Sequence, residues 1–119
     1  MDTSPTQALV LQDVPDARPD VKIVKLIGPV TFHNISEFQE LIHKKPFPLV
    51  FIVDLSEVPY IDSAALGSFI SIHVAREGTD CKYAFVGPNE RLRNLFELAY
   101  VQSFLVIYDS MAEAETHLA

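Results

Sequence analysis

The sequence predicts a single α/β domain with a mixed β-sheet, in which the elements follow the order ββαβαβαβα and the helices pack mainly on one face. Two strand-like segments adjoin each other near the N-terminus. After them, amphipathic helical segments alternate with short apolar runs that are typical of buried strands. The 119 residues match the size of one domain, and no linker or repeat divides them, so we assign one domain to residues 1–119.

The N-terminal part predicts a hairpin that follows a loose tail. Residues 1–6 form the predicted tail, residues 8–14 the first strand and residues 21–27 the second. A polar turn separates the two strands, and Gly28 followed by proline breaks the second one.

The first helix is predicted from the spacing of its apolar residues. They recur at helical intervals from Ile35 to Ile42, and a lysine pair followed by proline ends the pattern. Thr31 or Asn34 is the predicted cap of this helix, because both side chains can accept a hydrogen bond from a free N–H group.

The middle of the chain predicts its most buried strand and a second helix. Residues 49–55 are strongly apolar and rich in β-branched side chains, which is typical of a central parallel strand. The second helix is predicted to begin at Asp62 or Ser63 and to end near Gly78.

The C-terminal part predicts two further strand–helix units. Residues 82–86 form a buried strand, and Asn89 lies where the third helix opens. Residues 104–108 form the last predicted strand, and Ser110 lies in the predicted cap of a terminal helix.

Composition excludes several classes of function. The formal net charge of −7 argues against nucleic acid or an anionic membrane as a partner. The apolar runs are too short to span a bilayer, and no secretory signal is recognisable. Because Cys81 is the only cysteine, no internal disulfide is possible, and we expect a reducing, cytoplasmic location without direct membrane insertion.

A helical wheel separates three faces of the second helix. The face expected to contact the sheet carries Leu66, Phe69, Ile70 and His73. The opposite face is a stripe of small side chains, flanked by Ile72 on one side and by Gly67 and Val74 on the other: Ala64, Ser68, Ser71 and Ala75. This stripe packs either against another helix of the same domain or against another protein, and the wheel does not choose between them.

Asp62 and Ser63 have two interpretations. A polar pair at a helix start is commonly an N-cap, worth about 1 kcal/mol. A serine hydroxyl at the positive end of a helix dipole is also a favourable place for a phosphate.

Three stretches of the chain carry a family resemblance. They are Asp54 with Ile61-Asp62-Ser63 and Leu66-Gly67, then Leu26-Ile27-Gly28, then Phe85-Val86-Gly87-Pro88 with Arg91-Leu92 and Leu95-Phe96. On these residues the chain resembles the STAS-domain family, specifically the single-domain anti-sigma factor antagonists of bacteria. The element order agrees, so the resemblance implies one STAS-like domain over nearly the whole chain.

The resemblance implies a phosphorylation switch. In this family the serine after the motif aspartate is phosphorylated by an anti-sigma factor that is a serine kinase, and this role falls on Ser63. Unphosphorylated antagonist binds the anti-sigma factor and frees a sigma factor, and a phosphatase reverses the modification. The surroundings of the phosphosite are then Asp54, Asp62, Ala64, Ala65 and Gly67. The predicted partner surface comprises Thr31, His33, Asn34, Ala64, Ser68, Ser71, Ile72 and Ala75.

The chain departs from the family pattern at three places. Ala64 replaces a second hydroxyl residue, and Ala65 replaces the usual glycine. Pro29-Val30-Thr31 replaces Glu-Leu-Asp, so Thr31 removes a carboxylate. We expect the Ala65 methyl to hinder the close approach of a kinase partner.

Other functions find less support. A serine hydrolase needs a base beside Ser63, but no Gly-x-Ser-x-Gly elbow is present and His73 lies more than two helical turns away. No spacing of histidines or cysteines indicates a metal, and no glycine motif indicates a nucleotide, so we expect no cofactor and no enzyme activity. The main alternative is a STAS scaffold subunit in a stress-sensing or transport-associated complex, and self-association stays open.

Overall fold

The computed structural model describes residues 8–118, so the predicted tail at residues 1–6 lies outside the described part. Within it, strands β1 (Val10–Val14), β2 (Val21–Ile27), β3 (Val50–Glu57), β4 (Lys82–Val86) and β5 (Ile107–Tyr108) form one sheet in the order β1-β2-β3-β4-β5. β1 pairs antiparallel with β2, and all other pairs are parallel. The mixed sheet is therefore confirmed.

The helices are α1 (Ser36–His43), α2 (Ser63–Arg76), α3 (Glu90–Leu98) and α4 (Met111–Leu118). They alternate with the strands in the predicted order ββαβαβαβα. Helices α1, α2 and α3 share the main core on one face of the sheet. Helix α4 covers the other face through Ala114, which confirms that the helices pack mainly on one side.

Phe69 of α2 lies at the centre of the main core. Its ring centroid is 4.7 Å from that of Phe85 in β4, 6.1 Å from Phe38 in α1 and 6.4 Å from Phe96 in α3. All four rings are buried. Aromatic contacts of this kind fix α2 against the sheet and both neighbouring helices.

Two local predictions are wrong. The last strand contains only Ile107–Tyr108, because Phe104 and Leu105 instead close a turn on the carbonyl oxygen of Val101. Helix α1 has Ile35 at its N-cap and no side-chain cap. Asn34 cannot serve there because its carboxamide oxygen accepts the backbone N–H of Thr31, 3.0 Å away.

Candidate functional site

The candidate site lies where the parallel strands β2 and β3 end. The carboxyl ends of parallel strands meet at one edge of a sheet, so the loops that follow them are neighbours. Here Val30 and Ile61 form an isolated parallel bridge. The backbone N–H of Val30 donates to the carbonyl of Tyr60 at 3.2 Å. The backbone N–H of Asp62 donates to the carbonyl of Val30, also at 3.2 Å. The two loops are thereby fixed to one another beside the start of α2.

Asp62 joins the two loops to the helix. Its Oδ1 accepts the backbone N–H of Ala65 at 3.0 Å, and its Oδ2 accepts that of Phe32 at 2.9 Å. Burial acts to raise the pKa of this carboxyl, but the backbone donors of Phe32, Ala65 and Ala64 outweigh it and hold the pKa below its usual value. Asp62 is therefore the N-cap of α2 and also a clamp on the loop at residues 29–34.

Ser63 is the first residue of α2 and is exposed. Because Asp62 already accepts the N–H of Ala65, a phosphoryl group on Ser63 would not gain that donor. It would instead lie beside a carboxylate whose ionised form the fold favours. Because the Ser63 side chain is exposed, a phosphate on it would be in contact with solvent at the start of α2.

Asp54 has a local structural role at the end of β3. Its Oδ1 accepts the backbone N–H of Ser56 at 2.8 Å. On the neighbouring strand, the ammonium of Lys25 lies 2.6 Å from the carboxylate of Glu57. Glu57 chiefly, and Asp54 in addition, raise the pKa of Lys25. The charge of Asp54 is thus partly balanced within the fold.

The structure corrects the predicted orientation of α2. Ser68 is 6% exposed and Ile72 is fully buried, so their assignment to the partner surface is wrong. The Ser68 hydroxyl accepts a hydrogen bond from the Gln39 side chain of α1 at 3.1 Å. The middle of the small-residue stripe therefore packs against a helix of the same domain, which is the intramolecular interpretation that the wheel left open.

The face predicted to contact the sheet is also only partly right. Phe69 is fully buried, whereas Leu66 and Ile70 are partly buried at the margin of the core. His73 is half-buried, and its Nδ1 lies 2.8 Å from the Tyr83 hydroxyl. Ala65 is fully buried, so its methyl group faces the core and cannot obstruct a partner, contrary to expectation.

A flat part of α2 remains open to solvent. Gly67 lies one turn after Ser63 and is exposed, and no atom of the described residues lies within 4 Å of the position that a Cβ atom would occupy. A glycine inside a helix lowers its stability relative to alanine by about 0.5–1 kcal/mol. Packing within the described part of the fold therefore does not require a glycine at position 67.

The loop at residues 29–34 adds an aromatic residue that the sequence reasoning missed. Phe32 is 74% exposed, and its ring contacts that of His33, which is also exposed. The backbone hydrogen bond of Phe32 to Asp62 places it beside the start of α2. A lone aromatic residue among polar loop residues was the available signal. We call the exposed residues Phe32, His33, Ser63 and Gly67 the Ser63 surface.

The other predicted partner residues differ in their exposure. Thr31 is half-buried, and its hydroxyl accepts the backbone N–H of His33 at 3.3 Å. Asn34 braces the loop, since its Nδ2 donates to the carbonyl of Pro29 at 2.9 Å. Three α2 residues remain half-buried: Ala64, Ser71 and Ala75. The structure brings Thr31, His33 and Ala64 near Ser63, whereas Ser71 and Ala75 lie two or more turns further along the helix.

Residues 8–118 contain neither a cluster of metal-ligating side chains nor a helix suited to span a membrane. No group of three or more histidine, cysteine, aspartate or glutamate side chains in this range is placed to hold a metal ion. Over the same residues, no helix is both long and apolar enough to cross a membrane.

Comparison with known proteins relates the chain to a family and to several solved structures. A family model for the STAS domain matches residues 14–114. A Thermotoga maritima protein named "Putative anti-sigma factor antagonist" is 32% identical over 77 residues, which cover 65% of this chain and 66% of that relative.

Two solved structures show the same fold. A sulfate transporter family protein from Wolinella succinogenes superposes with a TM-score of 0.73 at 18% identity, over 87% of this chain and 88% of that one. The Bacillus cell fate determinant SpoIIAA in its phosphorylated form superposes with a TM-score of 0.69 at 14% identity, over 94% of this chain and 100% of that one. At these identities the likeness concerns the fold alone.

Proposed function

The chain belongs to the STAS-domain family, and from this we propose that it acts as an anti-sigma factor antagonist switched by phosphorylation of Ser63. Unphosphorylated, it binds a cognate anti-sigma factor through the Ser63 surface and thereby releases a sigma factor. A serine kinase activity of that anti-sigma factor modifies Ser63, and a phosphatase restores the free hydroxyl. The protein works as a binding module in the cytoplasm, without catalysis of its own.

The observation that carries this proposal is the position of Ser63. Its side chain is exposed at the first residue of α2, beside an aspartate whose two carboxylate oxygens each accept a backbone N–H. The curated relative named for this function supports the choice of partner. A protein of the same fold with a phosphorylated form supports the choice of switch.

The physical effect of the modification follows from its location. A phosphate adds about −1.5 to −2 charges at pH 7. Beside the ionised Asp62 this charge has no internal cation to neutralise it in the first turn of α2. Any partner that covers Gly67 would have to desolvate the phosphate, which costs more than it returns unless the partner supplies cations. The fold itself loses nothing, because the Ser63 side chain is already in water.

The kinase has to supply the chemistry of phosphoryl transfer. Both carboxylate oxygens of Asp62 accept backbone N–H groups, and Oδ1 of Asp54 accepts the N–H of Ser56. These bonds give both carboxylates a structural role in holding the backbone. The role of this chain is to present the hydroxyl, and the partner activates it and positions ATP.

The test compares binding and phosphorylation by the candidate anti-sigma factor kinases of the same genome. Ser63→Ala should bind the cognate kinase as tightly as wild type. It should accept no phosphate from ATP, which mass spectrometry of the intact protein measures. Ser63→Asp should bind at least about 10-fold more weakly, because it places a charge within the interface.

Ser36→Asp is the matched control. Ser36 is also an exposed serine at the first residue of a helix, α1, so the substitution adds the same charge to an equivalent position elsewhere. It should leave binding unchanged. Equal binding by Ser63→Asp and Ser63→Ala would overturn the switch and favour the scaffold alternative, in which Ser63 is structural.

A further inference from the structure

The C-terminal end of α2 holds a buried positive charge that has no counter-ion among residues 8–118. Arg76 is the last residue of the helix and is 4% exposed. Its guanidinium carbon lies 4.3 Å from the ring centroid of Phe47 and 5.1 Å from that of Phe51. Nη1 makes a long contact of 3.5 Å with the carbonyl of Ile72, whereas buried Nε has no partner among residues 8–118.

The contacts of Arg76 among residues 8–118 do not fully compensate the cost of burying its charge. Buried arginines are normally paired with a carboxylate or another anion, because desolvating the charge is costly. None of the ion pairs among residues 8–118 involves Arg76. The aromatic rings of Phe47 and Phe51 stabilise the faces of the guanidinium by cation–π contact, but its N–H groups lie at its edge. The rings therefore explain only part of how the charge is held.

Arg76 borders a cleft of about 500 Å³ at the end of the sheet opposite Ser63. Its volume is within the range of small-molecule sites. Leu41 of α1, the segment Pro46–Pro48 and the starts of β2 and β3 supply an apolar lining. Lys44 and Lys45, both exposed, add positive charge to the lining, and Asp20 is the single carboxylate among the described residues that line it.

We propose that this cleft binds a small organic anion, with its acidic group on Arg76 and an apolar body against Leu41 and Phe47. The acidic group would supply the counter-charge that the described residues leave out. Lys44 and Lys45 attract the anion. The aromatic and proline side chains favour a ligand with an apolar body over a free inorganic ion, which cannot contact them favourably. The site is independent of the switch proposed for Ser63, since it uses the other end of α2.

The first test uses octanoate as the probe and titrates the whole chain by two-dimensional NMR. Octanoate should shift the backbone amides around Phe47 and Arg76, and bind at least about 10-fold more tightly than either 1-octanol or inorganic phosphate. Equal binding of 1-octanol would show that the charge is unimportant. Equal binding of phosphate would show that the apolar lining is unimportant. Either result overturns the proposal, as does a shift pattern elsewhere on the molecule.

Variants identify the group that binds the anion. Arg76→Gln should weaken octanoate binding at least about 10-fold, whereas Arg91→Gln, an exposed arginine outside the cleft, should not change it. Binding that disappears in about 0.5 M salt would assign the effect to the exposed lysines alone and contradict the proposal. If Arg76→Gln does not fold, the wild-type comparison of octanoate with 1-octanol and its persistence in salt decide the matter.

Discussion

The two ends of helix α2 handle polar groups in opposite ways. At the N-terminal end, Asp62 receives two backbone hydrogen bonds and Ser63 lies in water, so no polar group there needs an outside partner. At the C-terminal end, Arg76 is buried, and its Nε has no partner within the described part of the chain. Because the polar groups at the N-terminal end already have partners, a modification there can face a protein partner without unfolding the helix. The C-terminal end, where a buried charge lacks a described counter-ion, is suited to a ligand that supplies the opposite charge.

The largest expected effect tests the part of α2 between these ends. Ile72→Ala should lower the free energy of unfolding by about 2–5 kcal/mol, because Ile72 is fully buried and the substitution leaves a cavity. Val74→Ala is the matched control. Val74 is 59% exposed, so its substitution should change stability by no more than about 0.5 kcal/mol.

Urea denaturation of both variants checks this orientation of the helix. If the two substitutions cost the same, or if Val74→Ala costs more, α2 is rotated relative to the structure. The comparison also bears on binding: Val74→Ala can affect a partner that covers the exposed face, whereas Ile72→Ala should affect partner binding only through stability.

The strands were more predictable from the sequence than the orientation of α2. The bounds of β2 and β4 agree with the prediction, since compact apolar runs are followed by glycine at both Gly28 and Gly87. The start of α2 was predictable because an aspartate before a helical pattern is an effective cap. The rotation was not, because apolar side chains occur all around this helix, and small residues such as Ser68 fit a helix–helix contact as well as a surface.

The candidate site likewise has residues that the sequence predicts and residues that only the folded structure shows. Ser63 was predictable from its motif, and the structure places it in water. Phe32 was not, because nothing local to the sequence shows that its backbone N–H donates to Asp62, 30 residues away. The burial of the Ala65 methyl was likewise invisible, since it depends on the direction in which α2 faces the core.

The second prediction concerns the satisfied end of the helix. Asp62→Ala should lower the free energy of unfolding by about 1–2 kcal/mol at pH 7, because it removes the cap on Ala65 and the clamp on Phe32. Asp62→Asn keeps an acceptor for Ala65, but its amide group cannot accept the N–H of Phe32. We expect it to lose less stability than the alanine variant.

The pH dependence of this difference has a definite sign. The pKa of Asp62 is lower in the folded protein than its ordinary value of 3.8. Its contribution to stability is therefore complete above about pH 4 and is lost as the pH falls through the folded value. The gap between wild type and Asp62→Ala should narrow below about pH 4. A gap that stays constant from pH 7 to pH 3 would contradict the role of the ionised carboxylate.

The smallest expected effect on stability is the most informative about binding. Gly67→Ala should raise the free energy of unfolding by about 0.5–1 kcal/mol, because the added methyl meets no described atom within 4 Å and alanine favours the helix. If a partner covers this face closely, the same methyl should weaken binding about 10-fold, since overpacking a tight contact typically costs 1 kcal/mol or more. Gly78→Ala is the control, because Gly78 also has open space but a φ of +78°, so alanine should destabilise the fold there. A Gly67→Ala variant that is more stable and binds as well as wild type would exclude α2 at Gly67 from the interface and confine the partner to Ser63 and the Phe32 loop.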